Sequence, residues 1–145
     1  MADPLHALKM DAAALHAFLR EEFPQVSDLV EIEELVPMRL RVVMPVRQEN
    51  LRPGGTVSGP TMFTLADLGV YLAVLSMIGP KALAVTTNCS IDFMRKPESG
   101  VDLVADVDLL KLGRSLAVGD VRIWSRGPKC RHVARATLTY SLPEA

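Results

Sequence analysis

The apolar positions along the chain follow more than one pattern, and the most unusual pattern begins at Thr61. From Thr61 to Ile78 nearly every side of the predicted helix is apolar, so this helix is expected to be buried all round rather than amphipathic. Pro60 suits the first helical turn, and Ser58 or Gly59 can serve as the N-cap. One carboxylate, Asp67, lies about two turns inside the helix. The chain is therefore organised around a buried helix that carries an acid.

A second helical pattern lies at the N-terminus. Between Pro4 and Phe23 apolar residues recur at helical spacing, with Asp3 available as a cap and Pro24 as the terminator. This spacing predicts an amphipathic surface helix whose role is packing, and its apolar positions are Leu5, Leu8, Leu15, Phe18 and Leu19.

The rest of the chain alternates apolar and polar residues with a period of two, which is typical of β-strands. Two strands joined by a short turn are predicted before the buried helix, and four strands after it. Their approximate ranges are 28–36, 38–44, 82–94, 101–112, 115–124 and 132–142.

These elements predict an α+β fold: a curved antiparallel sheet of about six strands wrapped around one long buried central helix, plus an N-terminal helix. The central helix is the segment long enough to cover the apolar face of such a sheet. A single domain is expected over residues 1–145, with the N-terminal helix in 1–24 and the core in 25–145. One sheet leaves a side of the helix and two strand edges uncovered, which favours a dimer.

A membrane span is the alternative interpretation of the apolar helix. Its eighteen residues are at the lower limit for crossing a bilayer. Asp67 and Gly69 near its middle, and the lack of a flanking Lys or Arg cluster, argue against insertion. We therefore interpret the segment as a core helix, with no membrane partner.

Composition and charge exclude several classes of function. The net charge is −1 and the sixteen Lys and Arg residues form no basic stripe, so nucleic acid is not an expected partner. The scattered His6, His16 and His132 argue against most histidine-based sites. Cys89 and Cys130 show no metal or redox spacing and fall in predicted strands, so they are expected to be reduced core thiols, and no metal site is predicted. The N-terminus has no signal-peptide order, which predicts a cytoplasmic protein.

Three segments carry a resemblance to a known family. The loop and helix GGTVSGPTMFTLAD, the strand and turn AVTTNCSIDFMRKPESG, and the hairpin LLKLGRSLAVGDVRI resemble the PaaI-like acyl-CoA thioesterases of the hotdog fold. The signature of that family is G-x-x-H-G-G followed by an acidic residue on the helix. The resemblance covers roughly Val30 to Leu142, and the order and spacing of the motifs are more specific than any one of them.

The resemblance implies roles for particular residues. Asp67 matches the helix carboxylate that acts as general base or nucleophile, and Gly59 matches the glycine whose N–H polarises the thioester carbonyl. A strand hydroxyl from the neighbouring subunit, which helps to hold the water or the carboxylate, matches Thr86, with Thr87 as the alternative. Basic turns that lie near the CoA phosphates or pantetheine arm match Arg95, Lys96, Lys111 and Arg114, although solvated turn charges are the simpler interpretation.

The chain departs from the family pattern around the helix start. Ser58 stands where the family has His, and Pro60 where it has the second Gly. Arg52 occupies a position that is often Asn, with Asn50 nearby. Ser58 can contact substrate or act as an ordinary N-cap, but it cannot replace an imidazole.

Thioester hydrolysis is chemically compatible with these residues. A thiol with a pKa near ~8.5 is a good leaving group, so a strong general acid is not needed. A helix N-terminus offers free N–H groups to an oxyanion, and partial desolvation makes a carboxylate such as Asp67 more basic. The alternative for Asp67 is a structural acid that is hydrogen-bonded to Thr64 or to a backbone amide of a partner.

The leading hypothesis is a dimeric or tetrameric acyl-CoA thioesterase with no cofactor, the CoA thioester being the substrate. The alternative, motivated by the missing His, is a non-catalytic hotdog protein that binds acyl thioesters. A hotdog hydratase needs a positioned His and is disfavoured. The expected substrate carries a small, medium-chain or aromatic acyl group. Four candidate acyl-pocket residues favour a medium-length or aromatic chain, and they are Met62, Phe63, Tyr71 and Leu72.

Overall fold

The structure is a computed structural model that describes residues 7–144. A short 3-10 turn, Gln48–Asn50, and a two-stranded hairpin connect the second strand to the central helix. In chain order the elements are α1 (Ala12–Glu22), β1 (Glu31–Val36), β2 (Arg39–Met44), β3 (Leu51–Arg52), β4 (Thr56–Val57), α2 (Gly59–Ile78), β5 (Val85–Phe93), β6 (Leu103–Leu112), β7 (Leu116–Ser125) and β8 (His132–Ser141).

The main sheet has six antiparallel strands in the order β1-β2-β6-β7-β8-β5. Helix α2 packs against five of them, β2 and β5 to β8. The predicted hotdog architecture, an antiparallel sheet around one long helix with a further helix before it, is confirmed. Strand β5 lies at one edge of the sheet and is the next element after α2. The strand therefore runs back alongside the helix that it follows.

Helix α2 begins and ends where its local sequence requires. The Ser58 side chain caps the helix by accepting a hydrogen bond from the Thr61 N–H at 3.3 Å. Gly79 follows the last turn with φ +95°, a conformation that glycine adopts without steric cost. By length and composition the helix could cross a membrane, but 72% of its most apolar window is buried inside the fold, as expected of a core helix.

Helix α1 is shorter than the sequence pattern predicts. It begins at Ala12 because the Asp11 carboxylate accepts a hydrogen bond from the Ala14 N–H at 2.8 Å and so forms the N-cap. Residues 7–11 are not helical. The backbone N–H of Lys9 donates to the Ser76 carbonyl at 2.7 Å, which attaches this segment to the end of α2. The proposed cap Asp3 lies outside the described residues.

The predicted strands are all present, with local differences at their ends. The strand predicted to start at residue 82 begins at Val85, because Lys81 and Ala84 are held in a turn after α2. The prediction that both cysteines are core thiols in strands is wrong for Cys130, which lies exposed in the β7–β8 turn at φ +48°. Cys89 is in β5 and half-buried, and both thiols are free.

Glycine allows α2 and the sheet to approach closely. A Cβ atom at Gly119 of β7 would lie 2.8 Å from Val70 Cγ2 on the helix. We expect Gly119→Ala to lower the free energy of unfolding by about 1–3 kcal/mol through overpacking. Urea denaturation measures the loss. In the double variant with Val70→Ala the two stability losses should be less than additive, because the smaller side chain makes room for the new Cβ atom. Strictly additive losses would contradict the steric explanation.

Candidate active site

The Asp67 carboxylate accepts two hydroxyl hydrogen bonds at the same oxygen. Thr86 Oγ1 donates to Asp67 Oδ1 in a short hydrogen bond, and Tyr140 Oη donates to Oδ1 at 2.8 Å. The Tyr140 hydroxyl also lies 3.0 Å from the Asp67 backbone carbonyl. Among residues 7–144 no group donates a hydrogen bond to Oδ2, and this oxygen remains accessible to solvent. One oxygen is therefore held by the protein and the other is available.

Strand register brings the two hydroxyls together. Thr86 and Tyr140 are directly paired across β5 and β8, and a bulge at the next residue shifts the register. The Thr87 side chain is exposed and donates to the Thr139 carbonyl at 3.3 Å instead. Of the two predicted threonines, Thr86 is the one that contacts the acid.

Two expectations about Asp67 need correction. The hydroxyl was expected from a neighbouring subunit, but Thr86 of the same chain supplies it, because β5 returns alongside the helix that it follows. Thr64 was the suggested partner of a structural acid, but its hydroxyl donates to the Pro60 carbonyl at 3.0 Å. The partners of Asp67 are therefore on the sheet rather than on its own helix.

Tyr140 is a site residue that the sequence pattern does not indicate. Its inward position follows from the alternation of β8, but its contact with an acid 73 residues away does not. Burial, and then the negative charge of Asp67, raise the pKa of the Tyr140 phenol well above its ordinary range, so the phenol stays protonated and donates. The same two causes raise the pKa of the Cys89 thiol, which argues against a nucleophilic cysteine here.

Asp67 opens onto a mainly apolar cavity of about 660 Å³. The end of α1 forms its far wall. There the Phe23 ring packs edge-on against the Tyr71 ring, and the two ring centroids are 6.1 Å apart. The centroids of the Tyr71 and Tyr140 rings are 6.3 Å apart, so a row of aromatic side chains extends from the acid to α1. Of the predicted pocket residues, Phe63 and Tyr71 line this cavity, whereas Leu72 is fully buried in the core.

Gly59 lies at a second cavity, of about 360 Å³. As the first residue of α2 it has an N–H with no intrahelical acceptor, which makes this amide a candidate oxyanion donor. The cavity is bordered by the aromatic ring of Phe93 and by basic and apolar side chains, among them Arg52, Arg95, Lys96 and Met62.

The structure separates the two main predicted catalytic groups. Gly59 and Asp67 are eight residues apart on one straight element, which places them about 12 Å apart. They also line different cavities. Within one chain, therefore, a single carbonyl cannot contact both groups.

The remaining residues around the helix start have structural partners. Ser58 is the N-cap and contacts the Thr61 hydroxyl at 2.8 Å. The side-chain oxygen of Asn50 accepts a hydrogen bond from the Arg47 N–H at 2.7 Å. The backbone carbonyl of Asn50 accepts one from the Ser58 N–H at 2.9 Å. Pro60 occupies the first helical turn. These contacts shape the loop that presents the Gly59 amide.

The four predicted CoA-binding cations do not come together within one chain. Arg95 and Lys96 follow the end of β5 and line the Gly59 cavity. Lys111 and Arg114 are exposed near the β6–β7 turn, which lies at the Val85 end of β5 through the pairings of β7 and β8. The two pairs are therefore at opposite ends of a strand about 27 Å long.

The described residues, 7–144, contain no group of three or more His, Cys, Asp or Glu side chains that could hold a metal ion. The reactive groups found here are a carboxylate, hydroxyls and backbone amides. Such groups can activate water and stabilise an oxyanion.

Comparison with known proteins supports one family. A family model described as the thioesterase superfamily matches residues 54–131. A candidate thioesterase from Silicibacter sp. TM1040 is 51% identical, with a TM-score of 0.88 over 97% of this chain and 96% of that chain. No curated protein matches the chain significantly.

Two solved structures of lower sequence identity are a thioesterase with coenzyme A and a PaaI protein. A hypothetical thioesterase from Streptococcus pneumoniae TIGR4, crystallised with coenzyme A, is 25% identical, with a TM-score of 0.73 over 92% of this chain and 98% of that chain. A variant of the phenylacetic acid degradation protein PaaI from Thermus thermophilus is 28% identical, with a TM-score of 0.71 over 83% of this chain and 99% of that chain.

Proposed function

Because this chain belongs to the thioesterase superfamily and is a thioester hydrolase, we propose that it hydrolyses a small, medium-chain or aromatic acyl-CoA. The observation that carries the proposal is the hydrogen bonding of the two Asp67 carboxylate oxygens. One carboxylate oxygen is held by two hydroxyls, and the other is accessible beside an apolar cavity large enough for an acyl group. The coenzyme A in the Streptococcus pneumoniae relative supports CoA as the thiol part of the substrate.

The proposed reaction uses Asp67 as general base or as nucleophile. As a base, it takes a proton from water while the water oxygen bonds to the thioester carbon. As a nucleophile, it forms an acyl anhydride that water then hydrolyses. In both routes the carbonyl oxygen becomes an oxyanion, for which a Gly59 N–H is the proposed donor. In the base route the tetrahedral intermediate breaks its carbon–sulfur bond, and the leaving CoA thiolate takes up the proton that Asp67 removed from water. In the nucleophile route the carbon–sulfur bond breaks as the anhydride forms, before water hydrolyses it. Both routes end with a carboxylic acid and free CoA.

A second subunit would complete this site. Strand β5 is an edge strand whose outer side pairs with no strand among residues 7–144, and it carries exposed apolar residues, including Val85 (56%) and Phe93 (52%). Antiparallel pairing of two β5 strands about Cys89 would place Phe93 of one subunit opposite the partner's Val85. The Gly59 cavity would then adjoin the cavity of the partner's Asp67.

The same pairing supports the predicted CoA-binding cations. Arg95 and Lys96 of one subunit would approach the end of the partner's β5 that lies near its β6–β7 turn. Arg114 lies in that turn and Lys111 lies beside it at the end of β6, so both basic groups would border one site. Cationic side chains at that position suit the phosphates of coenzyme A. We further propose that two such dimers associate as a dimer of dimers.

The acyl group is proposed to extend from Asp67 past Tyr71 to Phe23. We expect Phe23→Ala to raise the kcat/KM ratio of longer over shorter acyl-CoAs by about tenfold, because it lengthens the cavity at α1. A series of straight-chain and phenyl-substituted acyl-CoAs measures the ratio. Leu110→Ala is the control, since Leu110 is an exposed apolar residue outside this cavity. An unchanged ratio in Phe23→Ala would contradict this path.

A free-thiol release assay on a panel of acyl-CoAs tests the proposed function directly. Release of CoA from one group of acyl-CoAs would support the function and identify the substrate class. Tight binding of acyl-CoAs with no release from any of them would favour the non-catalytic binder instead.

A further inference from the structure

We propose that Tyr140 is a positioning residue that acts through Asp67. Together with Thr86 it occupies Oδ1, so that Oδ2 is the oxygen that attacks the thioester or deprotonates water. The inference rests on the proposed function. It adds a residue from the last strand of the fold and assigns different tasks to the two oxygens of one carboxylate.

The contacts of Tyr140 make it suited to fix the carboxylate. Its hydroxyl lies 2.8 Å from Asp67 Oδ1 and 3.0 Å from the Asp67 carbonyl, so it contacts both the side chain and the backbone of the acid. The residue is 2% exposed, and its backbone is paired with Thr86 on one side and Ala117 on the other. A buried side chain on a strand that is paired on both sides has little freedom to move.

Two donors on one oxygen leave the carboxylate a single useful orientation. Rotation about the Cβ–Cγ bond that exchanged Oδ1 and Oδ2 would have to pass through positions in which both hydroxyls lose their acceptor. Buried hydroxyls without a partner are costly, so the observed orientation is favoured. Oδ2 accepts no hydrogen bond from the described residues and is accessible, which matches the oxygen that must meet substrate.

Tyr140 also remains a hydrogen-bond donor to the carboxylate. Because burial and the Asp67 charge raise the pKa of its phenol, the hydroxyl keeps its proton and continues to donate across the working pH range. A hydrogen bond donated to a carboxylate stabilises the ionised form, which both routes require. Loss of this donor should therefore make activity more sensitive to acid.

The test compares Tyr140→Phe with the wild type over a range of pH. We expect kcat to fall about tenfold to a hundredfold, because one hydrogen bond to a charged group is removed. The low-pH limb of the kcat/KM profile should move upward by about one pH unit, because the ionised carboxylate is less stabilised. A merely structural tyrosine could lower kcat but would not move this limb.

Tyr71→Phe is the matched control, since Tyr71 is the other tyrosine of the chain and its hydroxyl donates to the Ala82 carbonyl. Its low-pH limb should stay in place. Thr86→Val should shift the limb in the same direction as Tyr140→Phe, and the double variant should lose more than the two single losses combined, because the carboxylate is then free to rotate.

The outcomes separate this inference from the proposed function. Active wild type with an unmoved limb in Tyr140→Phe would overturn the positioning role and leave the thioesterase proposal standing. Wild type without hydrolysis on any acyl-CoA would overturn both. Circular dichroism and urea denaturation show whether Tyr140→Phe is folded, and Thr86→Val provides an independent test if it is not.

Discussion

Replacing Asp67 with asparagine is expected to lower kcat for acyl-CoA hydrolysis by at least about a hundredfold. The side chains have nearly the same shape, and the amide oxygen can still accept from Thr86 and Tyr140. What the variant lacks is the ionisable oxygen at the Oδ2 position, which takes a proton or attacks the thioester in the proposed reaction. Thiol release under saturating substrate measures the effect.

Asp92→Asn is the matched control for this prediction. Asp92 is an exposed carboxylate on β5 that pairs with Arg135 at 3.1 Å and does not line the Asp67 cavity. Its replacement should leave hydrolysis near the wild-type rate and cost little stability, as expected of an exposed ion pair. Equal activity of Asp67→Asn and the wild type would place the reactive group elsewhere.

The second large effect is expected from Gly59→Pro, which removes the proposed oxyanion donor. Loss of one such donor typically lowers kcat by about 10²–10³. Proline suits the first helical residue, and Ser58 before it already has the extended conformation that precedes a proline, with ψ 153°. The helix should therefore still form while its first free N–H is absent.

Gly59→Ala controls for the added carbon atoms. A Cβ at this position would lie 3.3 Å from the Phe93 ring, so both variants crowd the same aromatic side chain. Alanine keeps the backbone N–H and proline does not. A similar loss in both variants would indicate crowding, whereas a much larger loss in Gly59→Pro would indicate a working amide.

Mixing the two inactive proteins then tests whether the site spans two subunits. If Gly59 of one subunit works with the partner's Asp67, a mixed dimer of Asp67→Asn and Gly59→Pro keeps one intact site. Random exchange of subunits should restore about one quarter of the wild-type sites in a symmetric dimer. No recovery after verified exchange would contradict the shared site, without bearing on the role of either residue alone.

Local sequence signals account for much of the fold. Continuous apolar character predicts that α2 is buried, the residues from Ser58 to Pro60 determine its start, and alternation identifies the six strands of the main sheet. These signals succeed because helix and strand periods act over a few residues. They are weaker where several caps compete, which is why the pattern does not identify Asp11 as the N-cap of α1.

The candidate site depended more on tertiary structure. Asp67 stands out in the sequence as an acid in an apolar helix, and the resemblance indicated Gly59 and Thr86. Neither could show that Tyr140 reaches the same oxygen, because that contact requires β8 to pair with β5 in one particular register. The β5 bulge likewise decided between Thr86 and Thr87.

The sequence by itself thus determined which elements form and which residue types face the core, since those choices follow from local propensity and burial. Tertiary structure alone decided that Thr86 and Tyr140 converge on Asp67 and that Gly59 lies in a different cavity. The physical reason is that periodicity specifies the face on which a residue lies, whereas strand register and the length of a rigid helix specify which distant groups meet.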